Sequence, residues 1–116
     1  LYSKIADYYI SMDDLENATF WLKKAAAYLP KLSIVNMPAG YMIASSYQKT
    51  NKEIFKTILE IYATYIYNKY RYPTAITGYL SKAECYQYLN SVNKYFEEES
   101  IESTTLNTLL KKLTEN

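Results

Sequence analysis

Apolar residues recur along most of this chain at intervals of three and four, which is the spacing of one face of an α-helix. Glycine and proline, which interrupt helices, number only two and three in 116 residues. The pattern predicts an all-α protein. Predicted helices cover residues 2–11, 14–29, a segment from about 36, 52–71, 75–89, a short segment that ends near 99 after a break at Asn90–Ser91, and 103–114.

Polar residues and prolines predict where several of these helices begin and end. An oxygen-bearing side chain followed three residues later by glutamate is typical of a capping box. The predicted caps are Asp13 with Glu16 for the second helix, Thr50 with Glu53 for the fourth, and Ser103 or Thr104 for the last. Pro30 and Pro73 then end the second and fourth helices, because proline cannot continue a helix.

The motif Ala-x-x-Tyr occurs three times and indicates an internal repeat. Its copies are Ala6/Tyr9, Ala44/Tyr47 and Ala83/Tyr86, at intervals of 38 and 39 residues. A small residue allows two helices to approach closely, and the tyrosine one turn later packs across the gap. The pattern therefore favours stacked helix pairs in one domain, with units 1–35, 36–73 and 74–100 and a capping helix at 103–114. The alternative is an irregular helical bundle.

The first unit resembles the tetratricopeptide repeat (TPR), in which helix pairs carry small and bulky residues at fixed positions. The matching residues are Tyr2, Ile5, Ala6, Tyr9, Ala18, Leu22, Ala25 and Pro30. The second unit keeps Ile43, Ala44 and Tyr47, and the third keeps Ala83 and Tyr86, with Val92 and Phe96 as inward residues. The resemblance implies a right-handed superhelix of about three antiparallel helix pairs plus the capping helix.

The residue types exclude several kinds of chemistry. The chain has no histidine and one cysteine, Cys85, so it lacks Ser-His and Cys-His pairs and the usual zinc ligands. Asp13–Asp14 is interpreted as a helix cap and Glu97–Glu99 as a solvated face. We therefore expect a protein that is not an enzyme, with no cofactor and no metal. The 15 tyrosines reflect either codon bias or an adhesive surface.

The TPR resemblance implies a peptide-binding groove lined by the first helix of each pair. Carried onto this chain, this first-helix face comprises Ser3, Asp7, Ile10, Ser11, Tyr41, Ser45, Gln48, Lys49, Leu80, Glu84, Gln87 and Tyr88. Asp7 and Glu84 would repel an acidic peptide end, so the expected ligand is a neutral or mildly basic peptide. The alternatives are that these positions are merely solvent-facing, or that Tyr67, Tyr70 and Tyr72 form a contact patch instead.

These features favour a non-catalytic module that binds a protein or peptide partner. One alternative is the peptide-sensing domain of a bacterial transcription regulator, and another is a homotypic assembly or secretion-chaperone module that self-associates through its open N-terminal end. The net charge of +1 does not favour nucleic acid, and no apolar run reaches the length of a membrane span. The lone cysteine favours the cytoplasm, and Leu1 in place of Met indicates a fragment of a longer protein.

Overall fold

The structure, a computed structural model, describes residues 2–27, 44–73 and 79–115. These residues are all-helical, as predicted. They form α1 (Tyr2–Ser11), α2 (Leu15–Ala27), a short 3-10 turn (Ser45–Tyr47), α3 (Lys52–Arg71), α4 (Lys82–Glu98) and α5 (Thr104–Thr114). The predicted third helix from residue 36 lies outside the described residues except for its last part. Pro30 and Tyr41 also lie outside the described residues.

Each of the four later helices begins at a side-chain cap that accepts a backbone N–H. Ser103 caps α5, as predicted, and its hydroxyl accepts from the amide of Leu106 at 3.0 Å. The other predicted caps are displaced by one residue. Asp14, not Asp13, accepts from the amide of Asn17, and Asn51, not Thr50, accepts from the amide of Ile54. Asp13 instead takes a left-handed backbone conformation that ends the turn after α1.

Helix α4 differs most from the sequence prediction. It begins at Lys82 rather than near residue 75, because Ser81 and Glu84 form a reciprocal capping box there. The predicted break at Asn90–Ser91 is wrong, since the helix continues without interruption to Glu98. Leu89 and Val92, on either side of those polar residues, are fully buried. Their packing keeps the polar pair inside the helix.

The core is built mainly around α3. Helix α1 packs against α2, α2 against α3, and α3 against both α4 and α5, which also contact each other. Phe55 of α3 meets Phe96 of α4 edge to face, with ring centroids 6.2 Å apart. Helix α5 buries Leu106, Leu109 and Leu113 and leaves Asn107, Lys111 and Lys112 exposed, so it is amphipathic, and its capping role stays a prediction.

The three copies of the Ala-x-x-Tyr motif do not have equivalent environments. Ala6 and Ala44 are fully buried, as the predicted register requires. Ala83 is exposed, and Tyr86 is 47% exposed. Helix α4 instead turns Cys85, Leu89 and Val92 toward the core. The repeat register therefore agrees with burial in the first two units and fails in the third, and the superhelical arrangement stays a prediction.

Candidate functional site: a groove between α2 and α3

An open groove of about 560 Å³ runs between α2 and α3 and reaches the start of α5. The described residues that line this α2–α3 groove are Thr19, Lys23, Thr57, Glu60, Ile61, Thr64, Tyr65, Asn68 and Thr105. Six of them belong to α3 and recur at helical intervals, so they form one continuous stripe. The volume lies in the range of ~300–1,000 Å³ that is usual for ligand sites.

The floor of the groove is apolar and aromatic. Ile61 and Tyr65 are half-buried and pack against the main core. Burial raises the pKa of Tyr65, so its phenol stays protonated at neutral pH. Tyr62 lies beneath, and burial followed by the neighbouring Tyr65 raises its pKa to about 12. Among the described residues, the Tyr62 hydroxyl is buried without a hydrogen-bond partner.

The rim of the groove is polar and nearly balanced in charge. The side chains of Thr19, Thr57 and Asn68 make no hydrogen bond within the described part of the chain. Glu60 is held in place, since its carboxylate accepts a 2.6 Å hydrogen bond from the Ser103 hydroxyl. Lys23 supplies the opposite charge across the groove. The rim can therefore donate and accept hydrogen bonds without attracting ions of one sign.

Four described residues of the first-helix face are engaged in internal contacts. Asp7 accepts a 3.0 Å hydrogen bond from the Tyr47 hydroxyl, and burial and this carboxylate together raise the pKa of Tyr47. Glu84 is part of the α4 capping box, and its hydrogen bonds with Ser81 lower its pKa. Gln48 and Lys49 both contact Glu99.

The remaining members of the first-helix face divide between the core and the surface. Leu80 and Tyr88 are 8% and 4% exposed, which corrects their predicted place on an open face. Ile10 is half-buried against the core, whereas Ser11, Ser45 and Gln87 are exposed. Tyr41 and the side chain of Ser3 lie outside what the structure describes. Among the described residues, the structure joins Asp7 to Tyr47 and brings Gln48 and Lys49 together at Glu99.

Glu99 corrects the expectation that Glu97–Glu99 is a solvated face. Glu97 and Glu98 are exposed, but only 5% of Glu99 is exposed. Its carboxylate lies 2.6 Å from the Lys49 ammonium, 2.8 Å from the Gln48 amide and 3.7 Å from the Lys52 ammonium. The hydrogen bonds from Lys49 and Gln48 lower the pKa of Glu99. This contact joins the turn before α3 to the end of α4.

The predicted tyrosine patch is only partly exposed. Tyr67 is buried and packs edge-on against half-buried Tyr70, with ring centroids 6.2 Å apart, whereas Tyr72 is 65% exposed. Cys85 is buried in the core, and burial raises its pKa to about 12. Within residues 2–27, 44–73 and 79–115, no group of acidic, cysteine or histidine side chains could hold a metal ion.

Sequence reasoning missed the α2–α3 groove, although part of its signal was present. Thr57, Thr64 and Asn68 interrupt the apolar surface of the longest helix at intervals of seven and four residues. Such a polar stripe beside an apolar one is the pattern of a half-exposed helix face. Only the position of α2 and α5 turns that stripe into a groove.

Comparison with known proteins adds no evidence on the function of this chain. No family model matches the chain, and neither the curated proteins nor the solved structures contain a significant match. In the part of the chain that the structure describes, no helix is both long and apolar enough to cross a membrane.

Proposed function

We propose that this chain is a non-catalytic interaction module that binds a neutral peptide segment of a partner protein in the α2–α3 groove. The observation that carries the proposal is the groove itself, with its apolar floor at Ile61 and Tyr65 and a polar rim that includes Thr19, Thr57 and Asn68. The proposal keeps the class of ligand that the sequence indicates and moves the binding surface away from the first-helix face.

The chemistry of the groove suits an extended peptide. A peptide backbone offers N–H donors and C=O acceptors that need partners when water is removed. Threonine hydroxyls and the Asn68 amide can both donate and accept, so they suit either backbone group. Ile61 and Tyr65 supply apolar area for one or two ligand side chains. Because Lys23 and Glu60 balance each other, a strongly charged ligand gains little there.

A random peptide library displayed on phage tests this proposal even though the partner protein is unidentified. The wild-type chain should enrich uncharged sequences that contain an apolar or aromatic residue. Binding of a selected peptide is then measured by fluorescence anisotropy. Asn68→Arg places a long cation in the groove and should weaken binding about tenfold or more. Asn107→Arg, an exposed position on α5 outside the groove, is the matched control and should leave affinity unchanged.

Two results would contradict the proposal. Failure to enrich any peptide would argue against a peptide-binding module. Peptides that survive Asn68→Arg but are lost with Gln87→Arg, at an exposed position of the first-helix face, would return the binding surface to that face. Circular dichroism of each variant establishes beforehand that the helical fold is intact.

A further inference from the structure

A second cavity, of about 440 Å³, lies where the ends of α3 and α5 meet the beginning of α4. This basic pocket is lined by Tyr67, Tyr70, Arg71, Lys82, Lys112, Leu113 and Glu115. It shares no residue with the α2–α3 groove, so it is a separate feature of the surface. Its volume is also in the range of ~300–1,000 Å³ typical of ligand sites.

The pocket concentrates positive charge. Arg71, Lys82 and Lys112 are cations, and Glu115 is the one carboxylate among the described lining residues. The local balance of +2 exceeds the net charge of the whole chain, which is +1. Guanidinium and ammonium groups are donors only, and phosphate oxygens are acceptors that they bind with charge-assisted hydrogen bonds. The Glu115 carboxylate opposes any anion, but the three cations outnumber it, so the net positive charge attracts a doubly charged ligand more strongly than a singly charged one.

Helix dipoles account for two of the three cations but not for the third. Arg71 is the last residue of α3 and Lys112 lies in the last turn of α5, where cations complement the negative end of a helix. Lys82 is the first residue of α4, where a cation opposes the positive end. Glu84, the acid of that turn, is engaged in the capping box. The placement of Lys82 is explained if all three cations face a common anion.

Two tyrosines give the pocket an aromatic wall. Tyr67 is 9% exposed and its ring packs edge-on against Tyr70, so neighbouring side chains fix its position. Phenolic hydroxyls can donate to a phosphoryl oxygen, and the rings can contact an organic group attached to it. We infer that the basic pocket binds a phosphate-class dianion, either as free inorganic phosphate or as the phosphoryl group of a small organic molecule.

Titration of the 116-residue chain with inorganic phosphate and with phenyl phosphate, against sodium chloride at equal ionic strength, tests this inference. Binding is followed by amide chemical shifts in ¹H–¹⁵N spectra. Saturable shifts are expected around Arg71, Lys82 and Lys112. Tighter binding of phenyl phosphate would assign the ligand to an organic phosphate held by the aromatic wall, and equal binding would assign it to free phosphate. Both results support the site.

Single charge removals identify the pocket as the binding surface. Lys112→Gln and Lys82→Gln should each weaken phosphate binding about fivefold, from the loss of one close charge. Lys111→Gln removes the same charge from the adjacent exposed position of α5, outside the pocket, and should have no such effect. The inference is overturned if the shifts follow ionic strength alone, or if all three variants bind phosphate as the wild type does. Arg71 and Lys112 would then serve only the ends of their helices.

Discussion

The two ends of this molecule bury different kinds of residues. Among the described side chains of the α1–α2 hairpin, the fully buried ones are Ala6, Ala18 and Leu22. In the same hairpin, the large side chains of Tyr8 and Phe20 are 59% and 52% exposed. By contrast, the α3–α5 unit buries large side chains throughout, including the paired rings of Phe55 and Phe96.

This difference reflects two distinct effects of apolar residues in helix packing. Small residues determine how closely two helices approach, whereas large residues supply most of the apolar area that is removed from water. The hairpin matches the TPR pattern at the most positions, yet its described side chains bury the smaller apolar area. A match to a repeat pattern therefore does not mark the part of this chain that buries the largest side chains.

The largest expected effect comes from deleting a phenylalanine ring in each region. Phe96→Ala leaves a cavity against Phe55 and should lower the free energy of unfolding by about 3–5 kcal/mol. Phe20→Ala removes a ring that is half in water and contacts Trp21 and Lys24, so its loss should stay below about 1 kcal/mol. Urea unfolding followed by far-ultraviolet circular dichroism measures both. Equal losses would mean that the two regions contribute alike.

Local patterns in the sequence predict most of the helices. Period and capping chemistry depend on residues within a few positions of each other, which is why the bounds predicted for α1 and α3 agree with the structure to within a residue. The predicted break in α4 failed because polarity at Asn90 and Ser91 was weighed without the burial of Leu89 and Val92. Tertiary packing overrides a local signal of that size.

The Glu99 contact and the candidate groove were less predictable because their residues are distant in the chain. Glu99 looked like one member of an exposed acidic run, and its partners Lys49 and Lys52 lie about fifty positions earlier. The α2–α3 groove likewise joins residues near 20, 60 and 105. Transferring groove positions from the TPR family placed Leu80 and Tyr88 on an open face, although both are buried in this chain.

A smaller effect is expected from replacing an alanine of the Ala-x-x-Tyr motif with leucine. This change tests the repeat register in its third copy, where Ala83 is exposed. Ala6→Leu inserts a bulky side chain into the α1 packing surface and should lower the free energy of unfolding by about 1–3 kcal/mol. Ala83→Leu is a chemically identical change at an exposed position and should stay within about 0.5 kcal/mol. The same urea assay applies. A large loss at Ala83 would show that the third unit does share the repeat register.

The smallest expected effect concerns the Glu99 contact, which joins the turn before α3 to the end of α4. Its lysine partners are largely solvent-exposed, so screening keeps the contribution modest. Because the folded-state pKa of Glu99 is lowered, its contribution is present above the ordinary value of 4.5 and is lost as pH falls through the lowered pKa. Glu99→Gln should therefore reduce stability at pH 7, and the difference in stability from the wild type should close as the pH drops below about 4.5.

Glu98→Gln, at the exposed neighbouring position, should show neither effect in thermal melts recorded from pH 7 to pH 3. A gap that is independent of pH would mean that Glu99 stabilises the chain by packing alone.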